Sequence, residues 1–86
     1  DVEQRDTEDN VTLSTSRTYA GGPLLVRATG EGGEPVDTAV SLNGTSVGDT
    51  GDDGRLWVLS PAGEYSVTTV YEGSTLGVNV TARPAP

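Results

Sequence analysis

The amino-acid sequence predicts an all-β fold, a seven-stranded antiparallel β-sandwich. Apolar and polar residues alternate along most of the chain, as they do in strands that bury one face. Turn signals end the alternating runs, namely Asn43-Gly44, Asp53-Gly54 and Pro61-Ala62-Gly63. Asn-Gly is a strong hairpin signal because both residues tolerate the positive φ of a type I′ turn. No segment has helical periodicity, so regularly spaced short strands indicate two packed sheets.

The 86 residues correspond to one domain with a polar beginning and a Pro-rich end. Residues 1–10 hold one apolar side chain, Val2, and are predicted to be an N-terminal tail or linker. The β-sandwich domain is predicted to span residues 11–81, followed by a C-terminal tail at residues 82–86. The seven predicted strands cover residues 11–15, 23–29, 36–42, 45–49, 55–59, 64–71 and 75–81.

The first four predicted strands are recognised by their inward side chains and their ends. Val11 and Leu13 share a face in the first strand. Pro23 lacks an N–H and therefore suits only the start of the second strand. Val40 and Leu42 are expected to point inward from the third. The fourth is short and is expected at the edge of a sheet.

The last three predicted strands alternate more regularly. Leu56 and Val58 are expected to face the core from the fifth strand. In the sixth and seventh strands, the residues predicted to share one face are Tyr65, Val67, Thr69, Leu76, Val78 and Val80. The seventh strand alternates cleanly enough to pair with a neighbouring subunit if it lies at an edge.

The composition predicts a thin, aliphatic core. The chain has 11 Val and 7 Leu but no Phe, Met or Ile, which suits narrow sheet-on-sheet packing. A chain of this size buries only roughly 60–65% of its unfolded surface, which leaves no room for a deep cleft. Cys is absent, so no disulfide can form, and no apolar run approaches the ~20 residues of a membrane span. Because the first residue, Asp1, is not Met, we expect a processed chain or an excised domain.

The charge is strongly acidic, and lysine is absent. The 13 Asp and Glu residues stand against five Arg, which gives a net charge of −8. Such a surface repels phosphate, so nucleic acids and anionic lipids are poor partners. A Lys-free, acidic chain rich in Thr and Val resembles proteins of halophilic archaea. In the concentrated salt of such cells, the repulsion between charges more than ~3 Å apart is largely screened. The alternative is an ordinary acidic domain.

Five motifs follow one another through the middle of the chain. They are Glu34-Pro35-Val36, Ala39-Val40-Ser41-Leu42-Asn43-Gly44, Val47-Gly48, Asp53-Gly54-Arg55 and Pro61-Ala62-Gly63-Glu64-Tyr65. In this part the chain resembles the carboxypeptidase regulatory-like domains, which share a transthyretin-like (prealbumin-like) sandwich, and related bacterial Ig-like domains. The resemblance implies an Ig-like or transthyretin-like β-sandwich that serves as an appendage, adhesion unit or spacer. It carries over no catalytic residues, because these domains have none.

The residue types disfavour catalysis. His, Cys and Lys are absent, which removes the common general bases and the nucleophile–base pairs. A carboxylate pair such as Glu64 with Asp52 or Asp53 remains, but a glycosidase-like pair needs a cleft that holds a sugar. We therefore predict that the chain is not an enzyme and has no cofactor.

The segment from Asp49 to Gly54 is a weak candidate for a calcium site. Asp49, Asp52 and Asp53 supply oxygen ligands before a glycine, as calcium loops do. Gly51 occupies the third position, however, and no Glu follows at the spacing of a bidentate ligand. The preferred interpretation is an Asp/Gly-rich turn that binds no metal.

All three Asn residues of the chain are N-glycosylation acceptors. Asn10, Asn43 and Asn79 each stand two positions before a Thr. A Thr-rich composition also generates such motifs by chance. The predicted alternation directs all three side chains to solvent, and modification of any of them would place the domain outside the cell.

Three large side chains in the second half of the chain have a predicted role. Trp57 and Leu59 lie opposite the inward residues of their strand and are candidates for a partner contact. The alternative is that a neighbouring strand, loop or tail covers them. Tyr65 follows a Pro-x-Gly turn and is predicted to be structural, with its ring buried and its hydroxyl bonded nearby.

The favoured hypothesis is a non-catalytic, extracytoplasmic domain with a structural, spacer or assembly role in a cell-surface or filament protein of a halophile. Its partners would be proteins, or further copies that pair through an edge strand, and it would carry glycan. One alternative is a ligand-binding domain, with carbohydrate on Trp57 or calcium at residues 49–54. Another is an accessory domain of a larger secreted enzyme.

Overall fold

Eight strands form two antiparallel sheets that pack face to face in the computed structural model, which describes residues 2–8 and 11–84. The strands are β1 (Val2–Glu8), β2 (Val11–Ser16), β3 (Pro23–Thr29), β4 (Ala39–Leu42), β5 (Thr45–Asp49), β6 (Arg55–Leu59), β7 (Glu64–Tyr71) and β8 (Ser74–Thr81). Sheet A has the order β1-β2-β3-β6, and sheet B has the order β5-β4-β7-β8. The predicted all-β sandwich is confirmed, and all seven predicted strands are present as β2 to β8. Within the described ranges, no helix is long and apolar enough to cross a membrane.

The core lies between the sheets and consists of alternate residues of the central strands. Its fully buried side chains include Leu13, Leu24, Val26, Val40, Val67, Leu76 and Val80. Leu42, Leu56, Val58 and Tyr71 pack against this cluster from half-buried positions. Val and Leu fill the narrow space because β-branched and medium-sized side chains suit two closely packed pleated surfaces.

Strand β1 lies where the sequence predicts a tail. It pairs antiparallel with β2, so that Arg5 lies opposite Ser14 and Thr7 opposite Thr12. An edge strand needs a paired backbone on one side only, and it can stay polar because it covers little of the core. The prediction that the sandwich begins at residue 11 is therefore wrong: the fold starts with β1.

The segment before β4 crosses from one sheet to the other. The Val36 N–H donates to the Ala28 carbonyl of sheet A at 2.9 Å, whereas pairing in sheet B begins at Ala39. The hydroxyls of Thr38 and Thr69 lie 2.7 Å apart and fasten the crossing to sheet B. The predicted third strand is thus too long, because its first residues bond to both sheets.

The chain remains part of the fold beyond β8. Ala82 is buried, and its N–H donates to the Gly63 carbonyl at 2.9 Å. Arg83 forms a parallel bridge with Tyr19 in the turn between β2 and β3. The predicted C-terminal tail is therefore anchored in its first two residues, and the last two residues of the chain lie outside the described ranges.

The hairpin between β4 and β5 has the geometry that its sequence predicts. Asn43 and Gly44 have φ angles of 50° and 84°, both in the left-handed region that a type I′ turn requires. The Asn43 N–H donates to the Ser66 carbonyl at 2.9 Å, which ties the turn to β7. Local chemistry is sufficient to set this turn.

Each sheet has two edge strands, which flank the two sides of the sandwich. β1 and β6 border sheet A, and β5 and β8 border sheet B. β1 lies beside β8 on one side, and β6 lies beside β5 on the other. β8 is an edge strand, as pairing with another subunit would require, but β1 runs next to it.

Candidate interaction faces

The outer face of sheet A carries three arginines in one row across the strands. Arg5 of β1 lies opposite Ser14 of β2, Ser14 lies opposite Arg27 of β3, and Arg27 lies opposite Arg55 of β6. Residues opposite one another in an antiparallel sheet point to the same face. We call Arg5, Arg27 and Arg55 the arginine row.

The arginine row concentrates positive charge on an acidic protein. It holds three of the five Arg residues, although the chain has a net charge of −8. In the part of the chain that the structure describes, none of these three guanidinium groups forms an ion pair with a carboxylate. Arg27 and Arg55 are direct cross-strand neighbours, and like charges in that position destabilise the pairing. An anion from outside the chain would therefore reduce the repulsion between these arginines.

A shallow depression separates Arg5 from Arg27. Thr12, Ser14, Thr29 and Gly33 line it together with the two arginines, so three hydroxyl-bearing side chains share the depression with two guanidinium groups. Guanidinium groups only donate hydrogen bonds, and hydroxyls donate or accept as the partner requires. The lining thus suits a carboxylate or another planar oxyanion better than a cation or an apolar group.

An apolar patch adjoins the arginine row. Leu25 lies opposite Trp57, and Pro23 lies opposite Leu59, on the strand pair that carries Arg27. Trp57 is 62% exposed and Leu59 is 75% exposed, so no described segment of the chain covers them. Of the two alternatives left by the sequence, the structure supports the uncovered surface. We call these four residues the apolar patch.

The outer face of sheet B carries two of the three acceptor Asn residues. Asn43 and Asn79 are both exposed and both bond to Ser66. The Asn43 Oδ1 accepts the Ser66 N–H at 2.9 Å, and the Ser66 hydroxyl donates to the Asn79 Oδ1 at 3.3 Å. In both cases the amide oxygen is engaged, which leaves the Nδ2 that a glycan would modify directed away from Ser66. Asn10 lies outside the described residues.

Six exposed carboxylates gather at one end of the sandwich. They belong to the loop before β4, to the last residue of β5 and to the turn that follows it, and they are Glu31, Glu34, Asp37, Asp49, Asp52 and Asp53. The two segments touch, because the Gly51 N–H donates to the Asp37 Oδ1 at 3.2 Å. We call these six residues the acidic end.

The weak calcium candidates Asp49, Asp52 and Asp53 all belong to the acidic end. No group of three or more acidic side chains in the described ranges is arranged to hold a metal ion. The Asp53 Oδ1 instead accepts the Arg55 N–H at 3.2 Å, as expected for a carboxylate that shapes a turn. The arrangement fits the Asp/Gly-rich turn.

The carboxylates considered for catalysis do not form a pair. Asp52 and Asp53 precede β6, whereas Glu64 begins β7 after the chain has run the length of β6. The five residues of β6 place them at opposite ends of the sandwich, about 16 Å apart along the strand. No shared cleft connects them among the described residues.

Tyr65 has the structural role that its sequence context predicts. Its side chain is buried, and its hydroxyl bonds to the Ser60 hydroxyl in the turn between β6 and β7. Burial raises the pKa of Tyr65 above its ordinary value of 10.0, while the hydrogen bond from Ser60 lowers it and only partly offsets that rise.

The sequence predicts Trp57 and Leu59 of the apolar patch, but it does not predict the arginine row. Arg55 shares a strand parity with Trp57, and Arg27 shares one with Leu25, which would have placed two arginines on the outer face. The row itself requires the register of four strands, including β1, which the sequence does not reveal. Strand parity within β3 and β6 was the available signal.

Comparison with known proteins identifies a family. A model of the archaeal fibronectin-III type-like domain matches residues 2–82, which includes all eight strands and Ala82 after β8. The match supports the Ig-like β-sandwich that the sequence motifs predict, and it assigns the chain to a fibronectin-III-like family; it does not confirm the resemblance to carboxypeptidase regulatory-like domains. Searches of curated proteins and of solved structures found no match.

Proposed function

Because the chain belongs to the archaeal fibronectin-III type-like domains, we propose that it is a non-catalytic structural domain of a protein displayed outside the cell of a halophilic archaeon. Domains of this kind are typically structural or spacer modules. The domain would work outside the cell and in high salt, and its two outer faces would have different roles. Glycans would occupy the outer face of sheet B, and protein contacts would use the outer face of sheet A.

The position of Asn43 and Asn79 is the observation that carries this proposal. Both acceptors are exposed on the same face, and both orient their amides against Ser66. Asn43 lies at a hairpin tip, where an enzyme can approach the folded chain, whereas Asn79 lies within the paired strand β8. Sheet A, by contrast, has its apolar patch bare of acceptor motifs in the described ranges.

The charge pattern supports a saline environment. The chain has 13 acidic residues against five arginines and no lysine. The six carboxylates of the acidic end are exposed and close in sequence and space, so their mutual repulsion weakens the fold when salt is scarce. Molar salt removes most of that cost.

A non-catalytic role is supported by residue types and by geometry. The chain lacks His, Cys and Lys, and its candidate carboxylates Asp52, Asp53 and Glu64 lie at opposite ends of the sandwich. The described surface offers shallow depressions instead of a cleft. Broad, flat faces suit contacts with other macromolecules.

The intact mass of the protein isolated from its native source tests the proposal. Peptide mapping should find added glycan mass at Asn43, Asn79 or both. Matched controls are Thr45→Ala and Thr81→Ala, expressed in the same host, because each removes one acceptor motif and keeps its Asn. Each variant should lose the mass at its own site only. Unmodified wild-type protein from the native source would contradict the glycan-bearing face.

A further inference from the structure

We propose that the arginine row and the apolar patch form a docking surface for the acidic end of a second copy of this chain. This inference deepens the structural role proposed above, and it does not require glycan. It makes the domain a head-to-tail assembly unit, in which one copy offers its broad face and the next copy offers its end.

The composition of the surface indicates a protein partner. Trp and Arg are the residue types most enriched among the side chains that dominate protein interfaces, and here Trp57 adjoins Arg27 and Arg55. Leu25 lies opposite Trp57, and Leu59 lies two residues along the same strand, so the neighbourhood of the indole favours an apolar protein side chain over the polar rim of a sugar.

Charge indicates which protein surface fits. The three guanidinium groups of the arginine row have no carboxylate partner among the described residues, and the depression between Arg5 and Arg27 presents donors to an oxyanion. The chain itself supplies that anion, because the acidic end exposes six carboxylates that cluster on two touching segments. Pro35, exposed between Glu34 and the crossing segment, offers an apolar group for Trp57.

The distribution of charge also bears on the symmetry of the contact between two copies. A two-fold interface with its axis through the arginine row would place one row against another, which like-charge repulsion opposes. The row and the acidic end are separate patches of one chain, so we infer a head-to-tail, heterologous contact, and the mixing experiment below distinguishes it from a reciprocal two-fold contact. Heterologous contacts extend into rings or open filaments.

Sedimentation of the full chain at several protein concentrations tests the proposal, at the lowest KCl concentration at which the chain stays folded, because molar salt would screen the attraction between guanidinium and carboxylate groups. The wild-type mass should rise with concentration. A face variant, Arg27→Gln with Trp57→Ser, and an end variant, Glu34→Gln with Asp52→Asn, should each weaken association by about tenfold or more. The matched control, Glu64→Gln with Val70→Ser, removes one carboxylate and one exposed apolar side chain from the opposite face and should associate as wild type does.

Mixing the two weakened variants distinguishes head-to-tail contact from two-fold contact. The intact end of the face variant can still dock on the intact face of the end variant, so the mixture should form a dimer and no larger species. A wild-type protein that stays monomeric at every concentration would overturn the proposal. So would a wild-type dimer that never grows, or association that the face variant leaves unchanged. The glycan measurement is independent, so either proposal can fail alone.

Discussion

The hydroxyl oxygens of Ser60 and Tyr65 lie 2.5 Å apart across the turn that joins β6 and β7. Ser60 stands five positions before Tyr65. When the Ser60 hydroxyl donates to the Pro61 carbonyl at 3.0 Å, it accepts the proton of the Tyr65 hydroxyl. Sandwiches of the Ig type use a tyrosine at the same corner to fasten the connection between two strands of different sheets. Here the connection links the edge strand of sheet A to the central strand β7 of sheet B.

Tyr65→Phe tests the contribution of this corner to stability. The ring stays in the core, so only the hydroxyl and its bond to Ser60 are lost. We expect a loss of about 1–2 kcal/mol in the free energy of unfolding, measured by urea denaturation. Ser60→Ala should cost a similar amount, and the double variant should cost less than the sum of both. Strict additivity would show that the two hydroxyls do not stabilise each other.

The same residue makes stability depend on alkaline pH. Burial raises the pKa of Tyr65 in the folded state above 10.0, so its proton is held more tightly in the folded chain than in the unfolded chain. This contribution to stability is complete below pH 10, and it is lost as the pH rises from the unfolded pKa through the folded pKa. Urea titrations across that interval should show wild-type stability falling more steeply than that of Tyr65→Phe. Equal slopes would contradict the assignment.

Thr50 and its neighbours form a buried polar network beside β4. The Thr50 hydroxyl donates to the Val36 carbonyl at 2.7 Å and accepts the Thr38 N–H at 2.9 Å. Thr38 in turn bonds to Thr69 on β7. These bonds satisfy the backbone where the chain crosses between the sheets, and so they explain why the crossing can be buried.

Thr50→Val should therefore destabilise the protein. Valine keeps the shape but leaves the Thr38 N–H and the Val36 carbonyl without that partner, and buried unsatisfied groups cost about 1–3 kcal/mol each. We expect a loss of about 2–3 kcal/mol in urea denaturation. Thr68→Val, on the outer face of β7, is a matched control that should change stability little. Equal effects of both variants would argue against the network.

The sequence is sufficient wherever a local signal determines the structure. The turn at Asn43-Gly44 follows from the φ preferences of its two residues, and the burial of Val67 follows from alternation along β7. Leu42, expected with Val67 at the centre of the core, is only half-buried, because it is the last residue of β4 and pairs with Thr45 at the hairpin end. The alternation of apolar and polar residues predicts which face of the sheet a side chain occupies, but it does not predict how close the residue lies to the end of its strand.

Structural features that depend on pairing between residues far apart in the sequence cannot be predicted from local sequence patterns. β1 is polar, and only its register with β2 makes it a strand. The hydrogen bond between Thr38 and Thr69 joins residues 31 positions apart, so no short sequence motif predicts it. The arginine row is likewise a product of register across Arg5, Arg27 and Arg55. The apolar patch is predicted in part because Trp57 and Leu59 share one strand.

Thr15 offers a stabilising change. Its side chain is 1% exposed, and its Oγ1 has no hydrogen-bond partner among the described residues. Thr15→Val keeps the branched shape and removes a buried polar group, so we expect a gain of about 1 kcal/mol in the free energy of unfolding. Thr12→Val, at a half-buried position on the outer face of the same strand, should give no such gain. If Thr15→Val were less stable than the wild type, the Thr15 Oγ1 would have a hydrogen-bond partner in solution.

Salt should stabilise the fold through the acidic end. The Debye length falls from about 10 Å at 0.1 M to about 3 Å at 1 M, so molar KCl screens repulsion between carboxylates such as Glu31, Glu34 and Asp52. The urea midpoint should therefore rise with KCl concentration. Replacing those three with Gln, Gln and Asn should raise the midpoint in dilute salt and flatten its dependence on KCl. Repulsion among the remaining carboxylates should leave part of the salt dependence in the variant. If both proteins respond to salt equally, repulsion among these three carboxylates does not set the salt dependence of stability.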